Sequence, residues 1–221
     1  MDIFNRILFT YRRRGAIGFL RLLLKNTVQH PRKLLTGRYF RQSSQVTSEF
    51  DAIHGTDTEQ VREIYDMDIP ADRWRDAVRY QPSPHNLAKK LIHGLNIDCS
   101  KYTFLDYGAG KGRVLLIAAE LPFHAVIGIE LSAELCATAT ANIDMVGPAT
   151  LKAREIRCAR ADATSFALPD TSLVCYFYNP FGENVLQAVA DSLAASLDAS
   201  PPPAATSTSP TRGQVKVLRV R

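Results

Sequence analysis

A chain of 221 residues, 46% hydrophobic and 22% charged, can bury one sizeable core, which excludes a wholly disordered protein and favours one catalytic-size domain with smaller appendages. Arg12, Arg13, Arg14, Arg21 and Lys25 interrupt the most apolar stretch, so no run of about eighteen uncharged residues suits a membrane-spanning helix, and the cytoplasm is the expected compartment. Cys99, Cys136, Cys158 and Cys175 form no C-x-x-C pair and the five histidines show no ligand spacing, so reduced core thiols are expected and no metal site is.

Residues 1–45 hold ten Lys or Arg against one acid, Asp2; since the chain totals +5, the remainder carries −4. Ile3, Phe4, Ile7, Leu8 and Tyr11 recur at helical spacing, and a second apolar run follows from Ile17 to Leu24. This predicts a basic amphipathic helical arm, packed on the body or facing an acidic partner such as a nucleic acid, a membrane surface or an acidic protein. Residues 46–80 are polar and turn-rich, including Phe50 to Thr58, and read as a connector or lid over a site.

The third segment, 81–198, opens on Gln81-Pro82-Ser83-Pro84, a helix start in which Ser83 caps orphan backbone donors and Pro84 takes the first helical position. That helix runs to about Gly94, with Leu87, Leu91, Ile92 and Leu95 as its buried stripe. Strands follow at Tyr102–Leu105, Ala125–Ile129, Glu155–Ala159 and Ser172–Tyr178, separated by helices at Arg113–Glu120, from Ser132 to about Asn142, and at Asn184–Leu197. Alternation of this kind predicts an α/β fold, a mainly parallel sheet with helices on both faces, whose ligands bind beyond the carboxyl ends of the strands. Residues 199–221 are low in complexity and expected to be disordered, with Val215 to Val220 as a candidate for one further strand.

The chemistry concentrates at those strand ends. Asp106-Tyr107-Gly108-Ala109-Gly110-Lys111-Gly112 joins the first strand to its helix, and its glycines permit unusual backbone angles and close approach of a ligand. Arg113 stands where a dinucleotide fingerprint wants its last glycine. Asp106 would repel a pyrophosphate on the helix N-terminus but suits an ammonium group. Glu130, ending the second strand, can accept from two ribose hydroxyls, and Asp162, after the third with Ala163 beside it, can accept from an adenine amine. Phe104 to Arg113, Glu130 and Asp162 together resemble the successive motifs of class I S-adenosylmethionine-dependent methyltransferases, over roughly residues 80–197. The resemblance implies a Rossmann-like fold and S-adenosylmethionine as cofactor. By it Asp106, Gly108, Ala109, Gly110 and Gly112 flank the methionine part, Glu130 holds the ribose, Asp162 and Ala163 take the adenine, and Tyr80 is a covering aromatic.

The fourth strand ends in Cys175-Tyr176-Phe177-Tyr178-Asn179-Pro180-Phe181-Gly182. Asn179 offers an acceptor oxygen to a substrate N–H, the Pro180 carbonyl adds a second, and Phe181 can stack or wall an alkyl amine, so catalysis would rest on positioning. The segment resembles the N-P-P-[YF] motif of amino-methyltransferases that modify bases or glutamine, less one proline, and the corresponding segment of Dot1-like lysine methyltransferases. A lysine acceptor must be neutral to attack, and Tyr176, Phe177, Tyr178 and Phe181 are candidates for an apolar channel that lowers its pKa. A protein amine is therefore the expected acceptor. The alternatives are a nucleic-acid base, an NAD-binding oxidoreductase, which Asp106 disfavours, and a shortened, non-catalytic S-adenosylmethionine-binding protein, since the tail replaces the further strands with which such sheets usually continue.

Overall fold

The structure, a computed structural model, describes residues 49–198 and 215–220. The basic arm at 1–45 and the low-complexity stretch 199–214 lie outside the described residues, as do the roles expected of them.

Five strands form one parallel sheet in the order β3-β2-β1-β4-β5: β1 Tyr102–Tyr107, β2 Ala125–Glu130, β3 Ile156–Arg160, β4 Ser172–Tyr178 and β5 Val215–Val220. The helices are α1 Glu49–His54, α2 His85–His93, α3 Arg113–Ala119, α4 Ala133–Val146 and α5 Glu183–Asp198. Every residue of β1 and β2 is buried, as expected of central parallel strands covered on both faces. Side chains alternate between two cores. Phe104, Val126, Val174 and Tyr176 pack beneath α2, α3 and α4, whereas Leu105, Tyr107, Ile127, Ile129, Cys175 and Phe177 pack with Val189 and Leu193 of α5. This arrangement is Rossmann-like, and the chain reverses its direction of strand addition between β1 and β4, the switch point at which such sheets bind ligands.

Three local expectations are corrected. Val215–Val220 is a strand paired with β4 from Leu173↔Val215 to Tyr178↔Val220, so this part of the 199–221 tail belongs to the sheet and β4 is interior. Leu218 packs against one core and Val215 against the other. Ser83 does not cap α2: its hydroxyl is buried and meets the Tyr176 hydroxyl at 3.2 Å, and the helix begins after Pro84 without a side-chain cap. Leu87 is exposed and Ala88 is buried in its place, while Ile92 is buried and Leu91 and Leu95 pack against the core as expected. Ser132, by contrast, caps α4 as expected, accepting from the Leu135 N–H at 3.1 Å.

Candidate functional site

The two-residue period of a strand places Asp106 and Glu130 on the same face of the sheet as Phe104 and Val126, at the carboxyl ends of adjacent strands, with Gly128 opposite Asp106. Gly128 is small because a Cβ there would lie 2.7 Å from Ala109 and 2.8 Å from Leu115, so its absence seats the glycine loop against β2. Gly108, Gly110 and Gly112 all have positive φ, of 74°, 55° and 82°. That succession turns the chain from β1 into α3, with Gly112 as the left-handed residue before the helix.

A cleft opens at the switch point, where open α/β sheets bind ligands. Of the expected residues, Tyr80, Gly108, Glu130, Asp162, Ala163, Asn179, Pro180 and Phe181 line it. Asp106 and Ala109 line a small adjoining recess that shares Tyr80, Gln81, Gly108 and Tyr178 with the cleft. Gly110 and Gly112 line neither recess. They act through the backbone: the Gly110 N–H donates to Glu130 Oε2 at 2.8 Å, and Tyr80 lies so close over Gly110 that a Cβ there would overlap its ring.

Glu130 also accepts from the Ser132 N–H at 2.9 Å, so each carboxylate oxygen is oriented by one backbone donor and keeps capacity for a hydroxyl. Burial raises its pKa despite those bonds. Asp106 is deeper still; burial first, and then the charge of Glu130, push its pKa up to about 8. The sequence alone suggested a carboxylate ready for an ammonium group, but at neutral pH this one retains its proton unless a cation enters. A ligand bearing an ammonium and two vicinal hydroxyls fits this pair, because the cation relieves the repulsion and the hydroxyls complete Glu130.

Asp162 stands at the far end, fixed by the Thr164 N–H at 2.9 Å and the Thr164 hydroxyl at 2.7 Å. Burial alone would raise its pKa, but those bonds and the Arg73 guanidinium, 2.7 Å from Oδ2, lower it. Asp162 is therefore ionised and partly engaged, a partner that the sequence did not suggest.

The segment 57–81 forms the cleft's outer wall. Its own small core joins Ile64 and Met67 to Leu135 of α4, with Ile69, Trp74, Ala77 and Tyr80 packed around them. Three polar ties fix it to the sheet domain. Asp51 accepts from the Thr58 N–H at 2.9 Å and the Glu59 N–H at 2.8 Å, while buried Arg113 donates from Nε to Thr58 Oγ1 at 2.7 Å and pairs with Glu59. Lys111 Nζ pairs with Asp57 at 2.7 Å, and Asn142 bridges the Lys111 carbonyl and the Asp57 backbone. Asp68 accepts from the Ser132 hydroxyl and the Ala133 N–H, adding a second acceptor at the start of α4. The Tyr80 hydroxyl donates to the Thr58 carbonyl at 2.6 Å, holding its ring over Gly110. Asp51, Thr58, Asp68, Lys111, Arg113 and Asn142 were not expected at the site. The one signal for them was the run of Asp and Thr between Asp51 and Thr58, of which Asp57 and Thr58 find partners 54 to 85 residues away.

At the other end of the cleft Asn179 adopts φ 44°, the sole non-glycine positive φ among the described residues, and is exposed. Phe181 is half-buried, meeting Phe177 edge to face at 6.4 Å, so it serves the core and the cleft together. The aromatic channel is smaller than expected. Tyr176 is buried against Ser83, and Phe177 is stacked on Tyr107 at 4.7 Å on the opposite face; only Tyr178 and Phe181 reach the cleft.

Residues 105–196 match the model of a family described as a methyltransferase domain. No curated protein sequence matches the chain. Among solved structures, an RNA methyltransferase from Salinibacter ruber in complex with S-adenosyl-L-homocysteine is 22% identical, with 55% of this chain and 72% of that one covered and a TM-score of 0.36. A ribosomal protein methylase from Lactobacillus delbrueckii subsp. bulgaricus is 16% identical, with 49% and 52% covered and a TM-score of 0.37. An S-adenosylmethionine-dependent methyltransferase from Geobacter sulfurreducens, also in complex with S-adenosyl-L-homocysteine, is 20% identical, with 50% and 44% covered and a TM-score of 0.37. The chain thus spans about half the length of the latter two. Among the described residues no helix is long and apolar enough to cross a membrane.

Proposed function

We propose that residues 105–196, which match a methyltransferase-domain model, form a class I S-adenosylmethionine-dependent methyltransferase domain and that the chain N-methylates an amine carried by a protein, lysine-like in kind. S-adenosylmethionine supplies an electrophilic methyl group on a sulfonium. Asp106 receives its ammonium, Glu130 its ribose hydroxyls, and Asp162 with Ala163 its adenine, while Tyr80 closes the glycine loop from above. Asn179, Pro180 and Phe181 orient the acceptor, so the protein contributes positioning rather than acid–base chemistry.

The observation that carries the acceptor assignment is Asn179, exposed at the carboxyl end of β4 in the left-handed region, lining the cleft together with Pro180 and the half-buried Tyr178 and Phe181. Its amide oxygen and the Pro180 carbonyl suit two N–H groups of one amine, and the rings suit its alkyl stem. The test is incubation of the full chain with isotope-labelled S-adenosylmethionine and a cell extract, followed by protease or nuclease. Label released by protease and resistant to nuclease is expected; nuclease-sensitive label overturns the protein acceptor. Asn179→Gly keeps the left-handed backbone while removing the amide, so it should abolish labelling and leave S-adenosylhomocysteine binding intact. Undiminished labelling would remove Asn179 from the reaction centre.

A further inference from the structure

The geometry points to Asp76 as a specificity-determining residue that receives the alkylammonium of the acceptor at the cleft's mouth, an inference that rests on the methyltransferase reading and sharpens its acceptor. Asp76 lines the cleft together with Asn179, Pro180 and Phe181, although more than a hundred residues separate them in sequence. Its position is built in. The Gly182 N–H donates to the Asp76 carbonyl at 2.7 Å, and Ala77 bridges antiparallel to Phe181, so the outer wall is fastened to the acceptor loop at this point. A Cβ on Gly182 would lie 2.8 Å from Asp76 Oδ1, so glycine there leaves room for the carboxylate.

The charges around the cleft single out this acid. Arg73 is engaged by Asp162 at 2.7 Å and lies 3.7 Å from Asp72, and Arg79 lies 3.7 Å from Glu63 and donates to Gln81. Asp76 pairs with no Lys or Arg among the described residues; its one side-chain bond is from Asn184 Nδ2 to Oδ1 at 3.2 Å. It is half-buried, so its negative charge is less screened than that of a fully exposed acid. A carboxylate that lacks a cation, facing two carbonyl-type acceptors and two aromatic rings, matches an amine on an alkyl stem. It would hold the charged amine at entry; the amine gives up one proton to solvent at the cleft's mouth, and the carboxylate then accepts one N–H of the neutral amine. A planar nucleobase offers it no positive charge, and a phosphate backbone would be repelled.

The test uses the full chain and two adenosine analogues in which nitrogen replaces the sulfur, one bearing an aminopropyl arm and one a propyl arm, both directed into the acceptor end. Wild-type protein should bind the aminopropyl analogue better, and Asp76→Asn should weaken that analogue about tenfold or more while leaving the propyl analogue and S-adenosylhomocysteine within about twofold. Asn184→Ala keeps the charge and removes the bond, so it should bind the aminopropyl analogue like wild type. If Asp76 served only to brace the loop, the two variants would behave alike, and that result overturns the proposal. So does equal affinity of wild type and Asp76→Asn for the aminopropyl analogue; Asp76→Ser, read the same way, stands in if Asp76→Asn does not fold. Failure of wild type to bind S-adenosylhomocysteine would instead remove the methyltransferase reading beneath it.

Discussion

The end of the cleft assigned to the methyl donor is made from the core of the fold, whereas the acceptor end is made by fastening two surface segments together. Asp106 and Glu130 are buried at the ends of central strands, and the glycine loop is packed so closely that Ala109, Leu115, Pro180 and Tyr80 fill the places of missing Cβ atoms. At the acceptor end, residues 76–77 meet 181–182 through a single bridge, held by the bond from the Gly182 N–H to the Asp76 carbonyl, and Asn179 is exposed. The difference teaches where variation is tolerable. Changes at the first end disturb folding and cofactor together, while changes at the second can alter the acceptor and leave the rest standing.

The largest expected effect comes from the network that joins the outer wall to α3. Arg113→Met leaves buried Asp51 without its nearby cation and Thr58 without a donor, which should cost about 3–5 kcal/mol of unfolding free energy, read from urea denaturation. A loss under about 1 kcal/mol would show that the wall is not coupled to the sheet domain. Next is Gly108→Ala, which sets a side chain at φ 74° with its Cβ 2.5 Å from that of Pro180. The backbone and packing penalties together are about 2–4 kcal/mol, and binding of S-adenosylhomocysteine and methyl transfer should both fall. Gly182→Ala has no such backbone strain but crowds the Asp76 carboxylate at 2.8 Å and the Asp76 Cα at 3.2 Å, so it should impair transfer while sparing S-adenosylhomocysteine binding. Equal damage to binding by both variants would break the contrast between the two ends.

An effect smaller at each pH unit than either substitution should follow pH. Asp106 titrates at about 8 in the folded chain against an ordinary 3.8, so between those values the folded state holds a proton that the unfolded state has released. Its contribution to stability is complete below the unfolded pKa and is lost as pH rises through the folded one, by at most about 1.4 kcal/mol per unit. Asp106→Asn should remove that slope from stability curves between pH 5 and about 8. Binding has the opposite sense, because an ammonium ligand favours the ionised carboxylate. S-adenosylhomocysteine should bind more tightly as pH rises toward 8 and release a proton at pH 7, measured by calorimetry in buffers of different ionisation enthalpy. Binding without proton release would show that the ligand's cation does not meet Asp106.

The first end was also the more legible in sequence, and for a physical reason. β1, β2 and the glycine loop are local: short apolar runs buried throughout, a turn that needs glycine, and acids at strand ends are written within a few residues of one another. The outer wall was legible only as polar and turn-rich, since Asp51, Thr58 and Asp68 acquire their roles from Arg113 and Ser132, more than fifty residues away. Tyr176 and Phe177 misled because an apolar run at a strand end does not say which side chains reach the cleft; alternation sent them to opposite cores. Arg113 was noticed for the glycine it replaces, whereas its own partners give it a place.

The smallest effect tests whether the wall touches the far end of the cleft only through charge. Arg73 and Asp162 form a partly exposed pair, with side chains 45% and 22% exposed, so Arg73→Gln should change stability by no more than about 1 kcal/mol. The same substitution frees Asp162 Oδ2 and removes a cation from beside it, which makes that oxygen a better acceptor for an amine. Affinity for S-adenosylhomocysteine should therefore rise, by about two- to fivefold, while the affinity of Asp162→Asn should fall. If Arg73→Gln weakened binding instead, the guanidinium itself would be part of the ligand site, stacking on the ligand's base, and the outer wall would belong to the cofactor end as much as to the acceptor end.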